Sequence, residues 1–216
     1  MKVIFDLDGT LLDSEKYYVK YWMEASKELG FPLTFEQALE LRSLEASLAE
    51  EKFLSWFGKR VDLDAIKNRR NEKMKDLLIP SKPYVKELVS YLQENDIPYG
   101  ICSASNAPRC HKFLLRAGID DLFPILVSAK ECKRGKPYPD PYLYALDKMG
   151  ATANECLCVE DSPNGFYSAV SANIKTVFAV DLSEPTSDIA SKAYGVIHSL
   201  KELPELIERF RREETF

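Results

Sequence analysis

The sequence predicts an α/β fold: a doubly wound, mainly parallel sheet core with an all-helical module inserted after its first strand. Three observations carry this. Val3-Ile4-Phe5 is a short apolar run of the kind that makes a buried strand. From about Ser14 to Ile79 only helical periodicity is visible. From Pro80 onward, short apolar runs alternate with amphipathic helices, the pattern of a parallel sheet covered on both faces. The first strand must join that sheet, so the helical stretch reads as an insertion.

In the module, Tyr18, Trp22, Ala25 and Leu29 recur at helical spacing, with Ser14 placed as N-cap and Gly30 as terminator. Thr34 and Gln37 have capping-box spacing for a second helix. Leu44, Leu48, Phe53, Leu54 and Phe57 outline a third, stopped by Gly58, and a fourth covers Asp64 to Leu78. Beyond the module a helix runs from Pro83 to about Asn95, followed by a strand at Tyr99–Cys102. The next helix ends at Ala117 before Gly118, and Pro124–Val127 is a strand. Asp140-Pro141 reads as an N-cap and first helical residue. Cys156–Val159 is a strand, a helix follows Pro163, Lys175–Val180 is a strand and Val196-Ile197 a short one. A charged helix closes the chain, with Glu208–Glu214 as its solvated end.

Composition excludes several classes. The 216 residues carry 29 Lys+Arg against 34 Asp+Glu, a net charge of −5. There is no global basic footprint for nucleic acid or an anionic membrane. No apolar run approaches the ~20 residues of a membrane span. Asp6 interrupts the first apolar run at once, so no signal peptide is read. The five cysteines are odd in number and fit a reduced compartment, so a cytoplasmic location is expected. Cys156-x-Cys158 is too short for a usual zinc knuckle.

Ligands in open parallel sheets bind outside the carboxyl ends of the strands. Asp6 and Asp8, then Gly9-Thr10, follow the first strand. Ser103 follows the second, with Ser105 and Asn106 behind it. The loop after the third carries Gly135-Lys136-Pro137, and Glu160-Asp161 follow the fourth. Crowded carboxylates cannot all ionise without compensation. A hard divalent cation supplies it, and Mg²⁺ favours oxygen ligands while leaving room for phosphate oxygens. A lysine and hydroxyls beside it can hold an anion, and an ionised Asp can act as a nucleophile. The residues alone point to metal-assisted phosphoryl transfer.

Asp6-Leu7-Asp8-Gly9-Thr10-Leu11-Leu12-Asp13-Ser14 resembles the first motif of the haloacid dehalogenase-like superfamily. Ser103 stands at the place of its second-motif Ser/Thr. Gly135–Asp140 resembles its third-motif lysine loop, and Val159-Glu160-Asp161-Ser162 with Gly165 its acidic fourth motif. The nearest branch in pattern is that of β-phosphoglucomutase and the sugar-phosphate phosphatases. The resemblance implies a discontinuous Rossmann-like catalytic core, 1–14 and 81–216, and a helical cap domain, 15–80. It implies that Asp6 attacks phosphorus and becomes phosphorylated, while Asp8 serves as acid and then base. Mg²⁺ would be held by Asp6, Glu160 and Asp161 and by the carbonyl of Asp8. Ser103 and Lys136 would hold the transferring phosphate, with Gly9, Thr10, Ser105 and Asn106 near it. The cap would close over a small phosphorylated substrate. A monomer is the default for a chain with a mobile cap.

Departures from the family pattern separate the alternatives. The mutase branch has a histidine where this chain has Tyr18, and an arginine where the alignment places Leu44. Both changes favour a phosphatase over a phosphomutase. A non-enzymatic binding module should have lost a catalytic group, yet Asp6, Asp8, Lys136 and Asp161 are all present. A dehalogenase would leave Asp8 and Glu160-Asp161 without a task. In the cap, Arg42, Arg69 and Arg70 could grip a distal charge, Arg70 before Arg42, and Tyr18 is the aromatic nearest the motif. His111 and His198 have no acidic or hydroxyl partner at useful spacing. Asn173 replaces a turn glycine that Asn can mimic.

Overall fold

A computed structural model describes residues 1–214. The last two residues of the predicted core therefore lie outside the described residues. Six strands form one sheet: β1 (Lys2–Phe5), β2 (Tyr99–Ser103), β3 (Leu126–Ser128), β4 (Cys156–Glu160), β5 (Lys175–Ala179) and β6 (Gly195–Ile197). Their order is β3-β2-β1-β4-β5-β6 and every pair is parallel. The chain winds outward from β1 to β3, then crosses back to build β4 to β6 on the other side of β1. The reversal falls between β1 and β4, and there the strand ends open a crevice.

The two faces of the sheet follow from strand periodicity. Val3 and Phe5, with Leu157 and Val159, share a core with α5 (Val85–Glu94), α6 (Ala107–Ala117) and α10 (Leu203–Glu214). Ile4, Cys156 and Cys158 face the other way, against α7 (Asp140–Met149) and α8 (Pro163–Ser171). Burial on both faces explains why these strands read as unbroken apolar runs. None of the cysteines is in a disulfide.

Five helices separate β1 from β2. The first four are α1 (Glu15–Glu28), α2 (Phe35–Glu40), α3 (Ala46–Phe57) and α4 (Leu63–Met74). The fifth, α5, packs against α10 on the sheet. Phe53 is fully buried, with Trp22, Phe31, Trp56 and Phe57 around it at centroid distances of 5.8–6.4 Å. Burying a side chain of that size contributes about 1.5–3 kcal/mol. The Thr34–Gln37 capping box is formed, and Gly58 ends α3 in the left-handed region. Asn173 also has positive φ, as its turn requires.

Several local expectations are corrected. Helix α4 stops at Met74, short of Leu78. The carbonyls of Lys75 and Leu77 instead accept from Arg116 of α6, and Leu78 is exposed. Strand β3 begins at Leu126, after Pro124, which has no N–H for the ladder. Asp140 is the first residue of α7 rather than its cap, and its carboxylate pairs with Arg134. Ser14 precedes α1, yet its hydroxyl donates to Asp8 and not to the helix. Leu54 lies on the outer face of α3, exposed. The short helix α9 (Ser187–Lys192), capped by Thr186, has too little periodicity to be read in advance. His111 and His198 have acidic neighbours after all, Asp120 and Glu184, on the exposed surface. No helix among the described residues is long and apolar enough to cross a membrane.

Candidate active site

The strand ends converge on the β1–β4 crevice. Asp6 follows β1, and its N–H still donates to Val159 O of β4 at 2.9 Å. Glu160 is the last residue of β4, and Asp161 follows it. Carboxylate oxygens of Asp6, Glu160 and Asp161 lie within 4.8 Å of one another, and all three residues are buried. Lys136 enters from the loop after β3. Its ammonium donates to Asp6 Oδ1 and Glu160 Oε1, each at 2.6 Å, and to Cys102 O at 3.0 Å. All three ammonium protons are used, and the side chain is fully buried.

The charge balance is unequal. Burial raises the Asp6 carboxyl well above its usual range; Lys136 opposes this, while Glu160, Asp161 and Asp8 add to it. Asp161 is raised as well, by burial and then by Glu15, against the pull of Arg42. Burial works against the Lys136 charge, but Asp6 and Glu160 outweigh it and hold its pKa well above the lysine range. Asp6 Oδ2 is buried and has no hydrogen-bond donor among the described residues. Three close carboxylates with one orphaned oxygen fit a hard cation with oxygen ligands.

Asp8 occupies the mouth. Ser14 Oγ donates to its Oδ1 at 2.7 Å, and Ser105 Oγ to its Oδ2 at 3.1 Å. Ser103 is buried at the end of β2, and its Oγ accepts from the Ser105 N–H at 3.0 Å. Asn106 caps α6 by accepting from the Arg109 N–H, and it also lines the main cavity. Thr10 Oγ1 donates to Asp161 Oδ1 at 3.4 Å. Gly9 and Thr10 line a smaller, separate cavity of about 160 Å³. Gly9 has φ +89°, and a Cβ there would lie 2.3 Å from Asp161 Oδ2. Both its conformation and the close carboxylate demand glycine.

Helix α8 is packed as tightly. A Cβ on Gly165 would sit 2.0 Å from Glu160 Oε1. Gly165→Ala is therefore expected to push Glu160 out of place and to cost about 1–3 kcal/mol of stability. Its urea midpoint should fall, and an unchanged midpoint would show that Glu160 has room to move.

Above the mouth lies a cavity of about 370 Å³ between the insertion and the sheet edge. Tyr18, Arg42 and Arg70 line it, together with Asp8 and Ser105. Arg69 instead pairs with Glu28 on the surface. Of the two arginines in the cavity, Arg42 is the more deeply placed. Arg42 donates to Asp161 Oδ2 at 3.5 Å and to Ser183 at 2.6 Å. Tyr18 OH lies 3.4 Å from Ser105 Oγ, and burial pushes its pKa far above the tyrosine range.

Other participants went unforeseen. Tyr142 OH donates to Glu160 Oε1 at 2.6 Å, from what reads as an ordinary helix-core residue. Glu15 is buried beside Asp161, with Oε2 unpartnered. Arg109 reaches the cavity from the first turn of α6. Its position just past the Ser103–Asn106 stretch was the one signal that could have marked it.

The sequence pattern of the family described as haloacid dehalogenase-like hydrolase matches residues 3–179, most of the chain. The chain belongs to that family. Within it, the pattern lies close to β-phosphoglucomutases and sugar phosphatases. A phosphorylated carbohydrates phosphatase of Thermotoga maritima is 24% identical over 209 residues, 95% of this chain and 89% of that protein. A β-phosphoglucomutase of Bacillus subtilis is 28% identical over 193 residues, 84% of this chain and 83% of its own. The fold matches the crystal structure of a hydrolase from Pseudomonas syringae with a TM-score of 0.86 at 24% identity, covering 96% of this chain and 98% of that one.

Proposed function

We propose that this chain is a Mg²⁺-dependent phosphatase that hydrolyses small phosphorylated metabolites, with sugar phosphates as the substrate class, through an aspartyl-phosphate. One observation carries the reading: three buried carboxylates are clustered, two of them sharing one ammonium, and one Asp6 oxygen is left without a donor among the described residues. The Thermotoga relative, named for phosphorylated carbohydrates, supports the substrate class.

In this reading Asp6 attacks phosphorus as its P–O bond to the leaving group breaks. Asp8 gives its proton to the departing oxygen, which leaves as an alcohol. Asp8, now a carboxylate, takes a proton from water; that water attacks phosphorus, and the bond to Asp6 breaks. Inorganic phosphate leaves and both carboxyls return to their starting states. Ser14 and Ser105 hold both oxygens of Asp8 and so fix its direction. Lys136 keeps Asp6 oriented and offsets part of its charge. Mg²⁺ would be held by Asp6, Glu160, Asp161 and the Asp8 carbonyl, and when bound it supplies positive charge against the phosphate oxygens. Residues 15–80 act as the cap over a core of 1–14 and 81–216, and exclude water.

The mutase alternative is disfavoured by Tyr18. A buried phenol whose pKa is pushed so far up does not exchange protons near neutrality. The test is phosphate release from an aryl phosphate and a panel of sugar phosphates, with and without chelator. Release that ignores chelator refutes the reading, and conversion of a hexose 1-phosphate to its 6-phosphate without net release would favour the mutase.

Metal and pH should act together on stability. Burial holds the carboxyls of Asp6, Glu15 and Asp161 above their usual range. The folded state then binds protons that the unfolded chain releases. This stabilisation is complete below the unfolded carboxyl pKa of about 4 and is lost as pH rises through the raised values. The acids shifted downward, such as Glu28, are solvent-screened and contribute little against it. Without metal, Tm should fall from pH 5 to pH 8. Mg²⁺ at about 100 times its Kd should add about 2.7 kcal/mol, or roughly 5–10 °C. Its effect should be larger at pH 8 than at pH 5. Scanning fluorimetry at both pH values checks this, and a Tm indifferent to Mg²⁺ would count against a metal site.

A further inference from the structure

The main cavity carries more positive charge than its acids can balance. Arg70 of α4 and Arg109 of α6 stand over the same ring, with guanidinium carbons 5.1 and 4.9 Å from the centroid of Tyr18. Neither is paired with a carboxylate among the described residues. Both donate to one neutral acceptor, Asn71 Oδ1, Arg70 through Nε at 3.2 Å and Nη2 at 2.9 Å, and Arg109 through Nη1, while Arg109 Nη2 donates to Met74 Sδ at 3.5 Å. Arg109 Nε is buried with no acceptor among the described residues. A buried guanidinium ordinarily finds a carboxylate, and an unmet donor of this kind costs stability. Lys67 and Lys130 line the same wall, also without a carboxylate partner among the described residues. Burial lowers the Lys67 pKa, and Lys130 and Arg70 lower it further, against the smaller pull of Asp64 and Glu50.

Three acids line the cavity. Both oxygens of Asp8 accept from Ser14 and Ser105, the charge facing Glu15 is that of Arg42, and the charge of Asp64 acts on Lys67. A short chain of contacts ties the cationic wall to the reacting end. Asp8 meets Ser105 at 3.1 Å, Ser105 meets Tyr18 OH at 3.4 Å, and the two guanidiniums lie over that tyrosine ring. A metabolite of modest size would therefore place the part that leaves with the alcohol against Arg70 and Arg109. The cavity volume, about 370 Å³, suits a ligand of that size.

From these unpaired cations we infer that the substrate is a phosphomonoester bearing a second anionic group, a carboxylate or another phosphate, bound between Arg70 and Arg109. The inference rests on the phosphatase reading for which end of the ligand reacts. Because Arg70 comes from the insertion and Arg109 from the sheet domain, the second anion would also tie the two together. Arg109 thus becomes a specificity residue.

Binding tests this separately from turnover. In Asp6→Asn protein with Mg²⁺, titration calorimetry would compare 3-phosphoglycerate with glycerol 3-phosphate, and fructose 1,6-bisphosphate with fructose 6-phosphate. The first pair adds a carboxylate and the second a phosphate. Binding about tenfold or more tighter is expected for the second anion in at least one pair, and the pair that responds identifies the group. Arg109→Gln or Arg70→Gln in the same background should reduce that preference to within about threefold. Equal affinities in both pairs, no binding by any of the four ligands, or a preference that survives both substitutions would overturn the inference. If Asp6→Asn does not fold, wild-type protein with phosphonate analogues of the four ligands gives the same readout. Phosphate release from an aryl phosphate by wild-type protein decides the phosphatase reading on its own, so either can fail alone.

Discussion

Asp6→Asn is expected to reduce phosphate release by about 10⁴-fold or more, while the protein remains folded. The amide keeps the shape of the carboxylate and removes its nucleophilic charge. Loss of a nucleophile that acts as one unit with its neighbours costs several orders of magnitude, not a fraction. Stability should move the opposite way. Asp6 is buried next to Glu160 and Asp161, and its charged form is penalised there. A neutral side chain removes that penalty, although Lys136 loses one of its two carboxylate partners. In metal-free buffer at pH 8, Tm should equal or exceed that of the wild type. Initial rates on an aryl phosphate, beside a melting curve, measure both effects. A variant within tenfold of wild-type activity would rule out the aspartyl-phosphate.

Lys136→Met should be the most destabilising single change at the site. The ammonium holds Asp6 and Glu160 at 2.6 Å each, and no water reaches it. Removing one member of a buried ion network leaves uncompensated charge and costs about 3–5 kcal/mol. For a chain of this size that is a fall of roughly 10 °C or more in Tm. Methionine nearly matches the stem of lysine, so cavity formation adds little and the loss is electrostatic. The double variant Lys136→Met/Glu160→Gln removes one of the stranded charges and should recover part of the loss. A double-mutant cycle from urea melts measures that coupling, and strictly additive effects would show that the two groups do not act as a pair.

Much of this molecule was legible because its signals are local. A buried parallel strand needs an unbroken apolar run, so Val3-Ile4-Phe5 and Cys156–Val159 declared themselves. The Thr34–Gln37 box and Gly58 are set by hydrogen bonding and φ within a few residues. The misjudged places depend on distant partners. Helix α4 ends early because Arg116, far along the chain, takes the carbonyls of Lys75 and Leu77. Ser14 leaves its capping role because Asp8 is a charged acceptor within reach. The setting of Arg42 is of the same kind, since Asp161 and Ser183 become its neighbours only on folding.

By itself the sequence determined the fold class, the inserted helical stretch and the acidic residues placed after the strands. Each of these follows from residue type and spacing, and strand direction then carries Asp6, Asp8, Ser103 and Glu160-Asp161 to one edge. Only the tertiary structure decided how their charges are shared. Lys136 divides its protons between Asp6 and Glu160, Tyr142 donates to the same oxygen of Glu160, and one Asp6 oxygen is left with no donor among the described residues. It alone brought Arg109 beside Arg70, two residues on separate parts of the chain that share one asparagine. Electrostatic balance depends on distance and burial, and neither is written along the chain before it folds.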